Sequence, residues 1–411
     1  MFNIALECSW FPDSTEEILV IDLKTFQMRR GLTMKQCTRF LFYVLVVVLT
    51  SGATGLQLFS HDQRSLVVSM VTTGTFGTGP AVAGAAGSVS GQGKMKFQVL
   101  YTSDHLPEKA KKVLVSAHGG FAVDRRQGRG ETYFALPGAG ILQISANFKK
   151  IRLLNTANIV KEENQHNTTI WYGNQGLGYL SFPANKTGQI HTTTLGGTLV
   201  HTLNGPTAKD NFDHPTVNNY FLGKGNFAPT DVEQLDGHLY VTTGYSSLDF
   251  VLTARILSTN PFRIIWHDLV FGGKGTDSGQ FGTGHGITVP PNKRQIAVAD
   301  RPTSEIDFFT RYGHYRSTLK LPKGSFPCDI DYVGQHAVVG CLHGPDRSKG
   351  APIYILKGDQ VISTVMVKEE LGLKNFQHIH NAVLRLANDK FYIVAQAWNP
   401  GDFVILQQVT E

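Results

Sequence analysis

Three histidines stand at matching places in the sequence, each at the head of a run rich in β-forming residues. His166 opens HNTTIW, His285 opens HGITV and His380 opens HNAVL. Imidazole nitrogens are common zinc ligands, and a catalytic zinc site has three protein ligands with a fourth position left open for water or substrate. The pattern therefore predicts a three-histidine zinc site, provided that the fold brings these distant positions together.

The runs that follow the histidines are copies of one repeat. Four copies align well, at PTDVEQLDGHLYVTTGY, GHGITVPPNKRQIAVADR, PCDIDYVGQHAVVGCL and IHNAVLRLANDKFYIVAQAW, and two weaker copies precede them. The starting points lie 43 to 64 residues apart, at His118, His166, Thr230, His285, Cys328 and His380. This spacing is typical of propeller blades of four short antiparallel strands. The sequence thus predicts an all-β, six-bladed β-propeller, and it fits a β-helix or a sandwich less well.

A propeller would explain how the three histidines meet. The innermost strand of each blade begins near the central channel, so equivalent residues of successive blades form a ring at one mouth. A polar residue that recurs at the start of this strand therefore lines the channel. We expect His166, His285 and His380 to belong to such a ring.

The composition divides the chain into three parts. Residues 1–55 are an N-terminal extension that contains a signal peptide or an anchor. Residues 56–94 are a flexible lead-in, which ends in a linker rich in glycine, alanine, serine and threonine, and residues 95–411 are the propeller.

The N-terminal extension has the features of a targeting segment. Lys35 and Arg39 precede an apolar run at residues 40–49, and Ser51 and Ala53 provide small residues for cleavage. This order predicts a secreted or extracytoplasmic protein. The alternative is an uncleaved segment that anchors the protein to a membrane through residues 40–49, although the run is shorter than the roughly 20 residues of an ordinary membrane span.

Export would permit a disulfide bond and glycans. Cys328 and Cys341 are spaced for a bridge between neighbouring strands, and the alternative is two buried free thiols. Acceptor triplets for N-glycosylation begin at Asn167 and Asn185. A glycan on Asn167 would crowd His166, so the zinc-site hypothesis requires that triplet to be unmodified.

The overall charge does not indicate a nucleic-acid partner. The net charge of +6 is modest for 411 residues, and no basic stripe is interleaved with aromatic residues. The glycine-rich stretch GGKGTDSGQFGTGHG lacks the spacing and surroundings of a phosphate-binding loop. We therefore expect a small-molecule or peptide substrate, or a protein partner.

From Met95 to the C-terminus the chain resembles the NHL-repeat propellers, and among them the peptidyl-α-hydroxyglycine α-amidating lyases. The resemblance is strongest at residues 229–309 and 376–406. It is carried by PTDV with the following VTTGY, by GQF with GHGITV, and by VADR with EIDFF.

The resemblance implies a site and a reaction. In the lyase family three histidines from three blades hold zinc, and the matching residues here are His166, His285 and His380. Tyr245, in VTTGY, matches a tyrosine that would take the substrate's hydroxyl proton. Arg301, in VADR, matches an arginine that would bind the substrate's carboxylate. The implied reaction breaks a C–N bond of a carbinolamide and yields a peptide amide and glyoxylate.

Two departures from the family pattern concern the same region. The family has an arginine in its first blade, where this chain has SAHGGFAVD with His118 and Gly119. The family's aspartate after the third histidine, which helps to hold a structural calcium ion, is Asn381 here, so the resemblance implies weaker calcium binding or none. These departures keep a second hypothesis open, a non-catalytic NHL-repeat propeller that binds a protein or glycan.

Overall fold

The computed structural model describes residues 88–173 and 176–409, together with the backbone of four short strands before them. These four are β1 (Cys8–Ser9), β2 (Ile18–Ile21), β3 (Leu56–Ser60) and β4 (Leu66–Met70), which form one antiparallel sheet in the order β1-β2-β4-β3. The expected signal or anchor at residues 40–49 lies outside the described residues, as does most of the linker at 72–94. Within the described ranges, no helix has the length and apolarity needed to cross a membrane.

The rest of the described chain is an all-β propeller of six blades. The first two strands, β5 (Ser90–Gln92) and β6 (Met95–Thr102), belong to the last blade. Blade one contains β7 (Phe121–Val123), β8 (Thr132–Leu136), β9 (Gly140–Ile144) and β10 (Ile151–Leu153). Blade two contains β11 (Thr169–Tyr172), β12 (Gly178–Ala184), β13 (Gln189–Thr194) and β14 (Leu199–Asn204). Blade three contains β15 (Asp231–Leu235), β16 (His238–Thr242), β17 (Phe250–Thr259) and β18 (Phe262–Gly272).

Blades four to six complete the ring. Blade four contains β19 (Gly284–Thr288), β20 (Gln295–Asp300), β21 (Glu305–Thr310) and β22 (Tyr315–Lys320). Blade five contains β23 (Phe326–Val333), β24 (His336–His343), β25 (Ile353–Lys357) and β26 (Gln360–Val365). Blade six contains β27 (Ile379–Ala387), β28 (Lys390–Ala397) and β29 (Asp402–Gln408), together with β6 and β5. Three short α-helices lie in connections, α1 (Glu108–Lys111), α2 (Asn158–Glu162) and α3 (Pro215–Leu222), and two 3₁₀ turns lie at Ser103–His105 and Leu114–Ser116.

The innermost strands form a closed ring. Each of β7, β11, β15, β19, β23 and β27 contacts the innermost strand of the next blade, and β27 contacts β7. Six apolar clusters fill the six spaces between adjacent blades. The prediction of six blades is therefore confirmed.

The last blade is built from both ends of the propeller. β6 pairs antiparallel with β29, with Phe97 opposite Gln408 and Thr102 opposite Val404, and β5 pairs with β6. The blade thus begins at Ser90, ahead of the expected propeller start at Met95. This pairing ties the two ends of the propeller to one sheet.

The expected bridge between Cys328 and Cys341 is not formed, and the alternative of two buried free thiols holds instead. A bulge in the β23–β24 ladder explains the difference. Pro327 is opposite Cys341 and Asp329 is opposite Gly340, so Cys328 has no residue directly across from it. Its thiol instead meets the Arg301 guanidinium, whose Nη2 donates to Sγ at 3.2 Å.

Candidate metal centre on the propeller axis

Residues at or just before the start of the innermost strands are held in place by hydrogen bonds from blade to blade. His166 Nδ1 lies 2.6 Å from the carbonyl oxygen of Thr230 on the next blade. His285 Nδ1 likewise lies 2.7 Å from the carbonyl oxygen of Cys328. A carbonyl can only accept, so in both rings Nδ1 carries the proton and Nε2 has the free lone pair. Such a bond fixes both the tautomer and the orientation of a metal-binding imidazole.

The structure brings His166, His285 and His380 together. The ring centres are 4.7 Å apart for His166 and His285, 4.8 Å for His166 and His380, and 5.1 Å for His285 and His380. All three side chains are buried. These residues lie in three different blades, so their meeting follows from the closed ring of innermost strands.

A fourth histidine belongs to the same cluster. The ring of His118 lies 4.3 Å from that of His166 and 4.4 Å from that of His380. One ring nitrogen from each of these three residues lies within 4.8 Å of the other two. His118 is absent from the predicted site, although a signal was available, because it starts the first copy of the repeat just as His166 starts the second.

Three fully buried ring nitrogens in the cluster have no hydrogen-bond partner among the described residues. They are Nε2 of His166 and both Nδ1 and Nε2 of His380. Buried polar atoms nearly always have a partner, so each unpartnered atom requires an explanation. Several imidazole nitrogens facing one small space are the donor set that zinc and related divalent metals prefer.

The protein keeps these imidazoles neutral. Burial lowers the pKa of His118 to about 4, and burial, with the neighbouring histidines and Arg301, lowers the pKa of His166, His285 and His380 well below the ordinary value. Only a neutral imidazole has a lone pair for a metal. The cluster is thus in the ligating form at neutral pH.

Tyr245 and Arg301 lie beside the histidines. The Tyr245 hydroxyl oxygen is 3.2 Å from His285 Nε2, and Arg301 Nη1 donates to the same oxygen at 2.9 Å. Since Nε2 of His285 has the free lone pair, the phenol donates to it. The result is a chain of hydrogen bonds from Arg301 through Tyr245 to His285.

The protein groups around Tyr245 raise its pKa. Burial has the largest effect, and the Arg301 charge only partly offsets it. The hydroxyl end is enclosed by His285 and Arg301 although 41% of the residue is exposed. The protein groups alone therefore do not make this phenol a strong base at neutral pH.

Arg301 has a buried guanidinium with one unpartnered donor among the described residues. The residue is only 7% exposed, and its Nη groups contact Tyr245 and Cys328. Its Nε–H has no partner among the described residues. A buried guanidinium with a spare donor is a natural partner for a carboxylate.

Aromatic side chains border the His118 side of the cluster. Trp398 stacks on His118 with ring centres 5.9 Å apart, and His378 lies 6.2 Å from Trp398. His343 lies 4.7 Å from His378. Together these rings form an aromatic border next to the buried histidines.

Asn167 and Asn381 directly follow His166 and His380 in the sequence. Asn381 accepts from the amide of Phe121 at 3.1 Å and donates to Asp329 at 2.7 Å, so it links three blades by hydrogen bonds. Asn167 is 5% exposed, and its side-chain oxygen accepts from the amide of Thr168. A glycan on Asn167 would have to displace this packing.

Comparisons with known proteins show similarity in structure only. No family model matches the chain, and neither does any curated protein. Among solved structures, virginiamycin B lyase from Staphylococcus aureus is 13% identical over 77% of this chain and 100% of that chain, with a TM-score of 0.45. A luciferin-regenerating enzyme is 11% identical over 72% and 92% (TM-score 0.43), and the β-propeller domain of Cps50 (Swd1) from Myceliophteria thermophila is 10% identical over 71% and 82% (TM-score 0.41). At these identities the similarity concerns the fold alone.

Proposed function

We propose that this propeller is a metal-dependent, lyase-like enzyme with a zinc-type site among the histidines on its axis. The observation that carries the proposal is the set of three unpartnered, buried nitrogens on His166 and His380. They lie within a cluster of neutral imidazoles and next to the Tyr245–Arg301 pair. A divalent metal ion would satisfy these nitrogens and would supply a Lewis acid for a substrate oxygen.

The neighbouring side chains suit C–N bond cleavage in a carbinolamide that carries a carboxylate. Arg301 would bind the carboxylate through its spare Nε–H. Tyr245, as the phenolate that a neighbouring metal cation would favour, would take the proton of the substrate hydroxyl, whose O–H electrons form the new C=O bond. The C–N electron pair would leave with the amide nitrogen, which takes up a proton. The products are an amide and a 2-oxo acid, which is glyoxylate for an α-hydroxyglycine peptide.

The resemblance to NHL-repeat propellers and amidating lyases supports the choice of reaction. It supplies the match of Tyr245, Arg301 and three of the four clustered histidines, while His118 replaces the family's first-blade arginine. We also propose that the protein is exported, or anchored, through residues 40–49. The free thiols of Cys328 and Cys341 lend no support to export, so this part rests on the N-terminal segment alone.

Release of glyoxylate from an α-hydroxyglycine peptide tests the proposed reaction. The zinc-loaded protein should release glyoxylate, the chelated protein should not, and added zinc should restore the activity. A folded, zinc-loaded protein that releases no glyoxylate would contradict the lyase assignment. A folded protein that also binds no metal would leave the non-catalytic alternative, a propeller that binds a protein or glycan.

A further inference from the structure

We propose that the metal ligands are His118, His166 and His380, and that His285 stands outside this set as the residue that positions Tyr245. The inference rests on the proposed metal site and changes one of its ligands. His118 replaces His285, which the sequence pattern had placed in the ligand set.

The distances favour this triad. The nitrogens of His118, His166 and His380 all lie within 4.8 Å of one another, and no such group among the described residues includes His285. The ring centre of His118 lies 4.3 Å from that of His166 and 4.4 Å from that of His380. The corresponding distances from the ring centre of His285 are longer, at 4.7 Å and 5.1 Å. Tetrahedral zinc needs ligand nitrogens about 3.4 Å apart, so the His118 triad requires the smaller adjustment.

The hydrogen bonds of the four rings favour the same three ligands. His285 uses both ring nitrogens, with Nδ1 on the Cys328 carbonyl and Nε2 on the Tyr245 hydroxyl. His166 uses only Nδ1, and His380 uses neither. His118 Nδ1 lies 3.4 Å from Asn164 Oδ1, and when it donates to this oxygen Nε2 keeps the lone pair for a metal. His285 would have to give up its bond to Tyr245 before binding a metal.

The positive charge of Arg301 also disfavours a metal ion bound at His285. Its buried guanidinium contacts Tyr245, which contacts His285. A dication placed against His285 would lie on the side of the cluster where this positive charge is, and like charges repel more strongly in a poorly hydrated interior. The His118 side instead borders Trp398, whose ring is uncharged.

This arrangement separates two tasks. The triad would hold the ion, and His285 would accept the hydrogen bond that fixes the Tyr245 hydroxyl. A substrate could then lie between the ion and Arg301, with its hydroxyl next to Tyr245. His285 is therefore a positioning residue, and its loss should affect turnover more than metal binding.

Matched variants distinguish the two ligand sets. Zinc affinity of the full chain would be measured by competition with a chromogenic chelator for wild type, His118→Ala, His285→Ala and His166→Ala, with circular dichroism as the folding control. His118→Ala and His166→Ala should each weaken binding by more than about 100-fold, beyond what loss of a supporting residue usually costs. His285→Ala should weaken it by less than about 10-fold. The visible spectrum of the cobalt-loaded His285→Ala variant should match that of wild type.

The other outcomes are equally informative. Retention of zinc by His118→Ala with loss in His285→Ala would overturn the inference and leave the proposed metal site intact. Loss in both variants would show four ligands and would also overturn the exclusion of His285. A wild-type protein that binds no zinc would instead refute the proposed function. If a variant fails to fold, anomalous diffraction from zinc-loaded wild-type crystals decides, because the ion must lie beside His118 and not beside His285.

Discussion

A buried histidine without hydrogen-bond partners is unfavourable in a protein that has no further use for it. His380 is 3% exposed and neither ring nitrogen has a partner among the described residues, while His166 leaves one nitrogen unpartnered. Such atoms cost roughly 1–3 kcal/mol each when they are left unsatisfied. Their concentration at one point on the axis is more easily explained by a ligand than by packing.

Also at the scale of single residues, loss of the Tyr245 hydroxyl should lower kcat and leave zinc binding unchanged. Tyr245→Phe removes the oxygen that bonds Arg301 and His285 but leaves the imidazoles unchanged. We expect kcat for glyoxylate release to fall by about 100-fold or more, as for loss of a general base, with unchanged zinc content. Tyr312→Phe, at a 59% exposed tyrosine outside the site, is the matched control. An equal kcat for Tyr245→Phe and wild type would exclude the proposed proton transfer.

The residues that the sequence did and did not predict differ in a physical way. The repeat predicts that His166, His285 and His380 lie on one ring, because it fixes where each innermost strand begins. The resemblance implies an arginine at the corresponding place in the first blade, so it assigns no role to His118. The bonds of Tyr245 and the contact of Arg301 with Cys328 depend on side-chain directions and on a strand bulge, which a repeat pattern does not encode.

At the scale of elements, the closing strand β6 should be essential for stability. Phe97 is fully buried in the cluster between blades five and six. Phe97→Ala should lower the free energy of unfolding by about 3–5 kcal/mol, because it leaves a cavity in this core. Leu386→Ala, at a 54% exposed position of the same blade, should change it by less than about 0.5 kcal/mol. Urea unfolding of both variants checks this. A loss for Phe97→Ala as small as the loss for Leu386→Ala would show that β6 is not an integral part of the blade.

Blade four contains a second feature that affects stability, a group of buried carboxylates at Asp300, Glu305 and Asp307. Burial raises the pKa of Asp307 to about 6, from 3.8. The folded protein thus keeps a proton that the unfolded chain releases between about pH 4 and pH 6. The free energy of unfolding attributable to this group therefore falls as the pH rises through that window.

Asp307→Asn removes the ionisation but keeps an oxygen that can accept from Thr318, as Asp307 does. The variant should be about 1–3 kcal/mol more stable than wild type at about pH 7.5. At about pH 4 the two should be nearly equal, because Asp307 is then protonated in the folded protein. Urea unfolding at both values tests this, and a variant that is less stable than wild type at the higher pH would contradict it.

At the scale of the whole molecule, the number of blades was predictable and the closure of the ring was not. Each blade repeats the same turn and strand pattern locally, so the sequence period reports the count. The pairing of β6 with β29 joins segments about 300 residues apart, and no local pattern specifies such long-range pairing. The same closure holds residues of six blades around one axis, which makes an axial metal site possible.

A metal ion bound by several blades should stabilise the whole propeller. A ligand that binds only the folded state adds about 2.7 kcal/mol when its free concentration is 100 times Kd. Zinc should therefore raise the midpoint of thermal unfolding for wild type and leave that of His380→Ala unchanged. An equal shift in both proteins would place the bound zinc elsewhere.

Metal content is the most direct test of the axial metal site. The full chain would be purified beside His380→Ala, whose lost imidazole makes no hydrogen bond within the described part of the chain and belongs to both candidate ligand sets. We predict about one zinc ion per wild-type chain and none in the variant, with both proteins folded. A folded wild-type protein that contains no metal and takes up none from added zinc would contradict the metal site and, with it, the proposed enzyme.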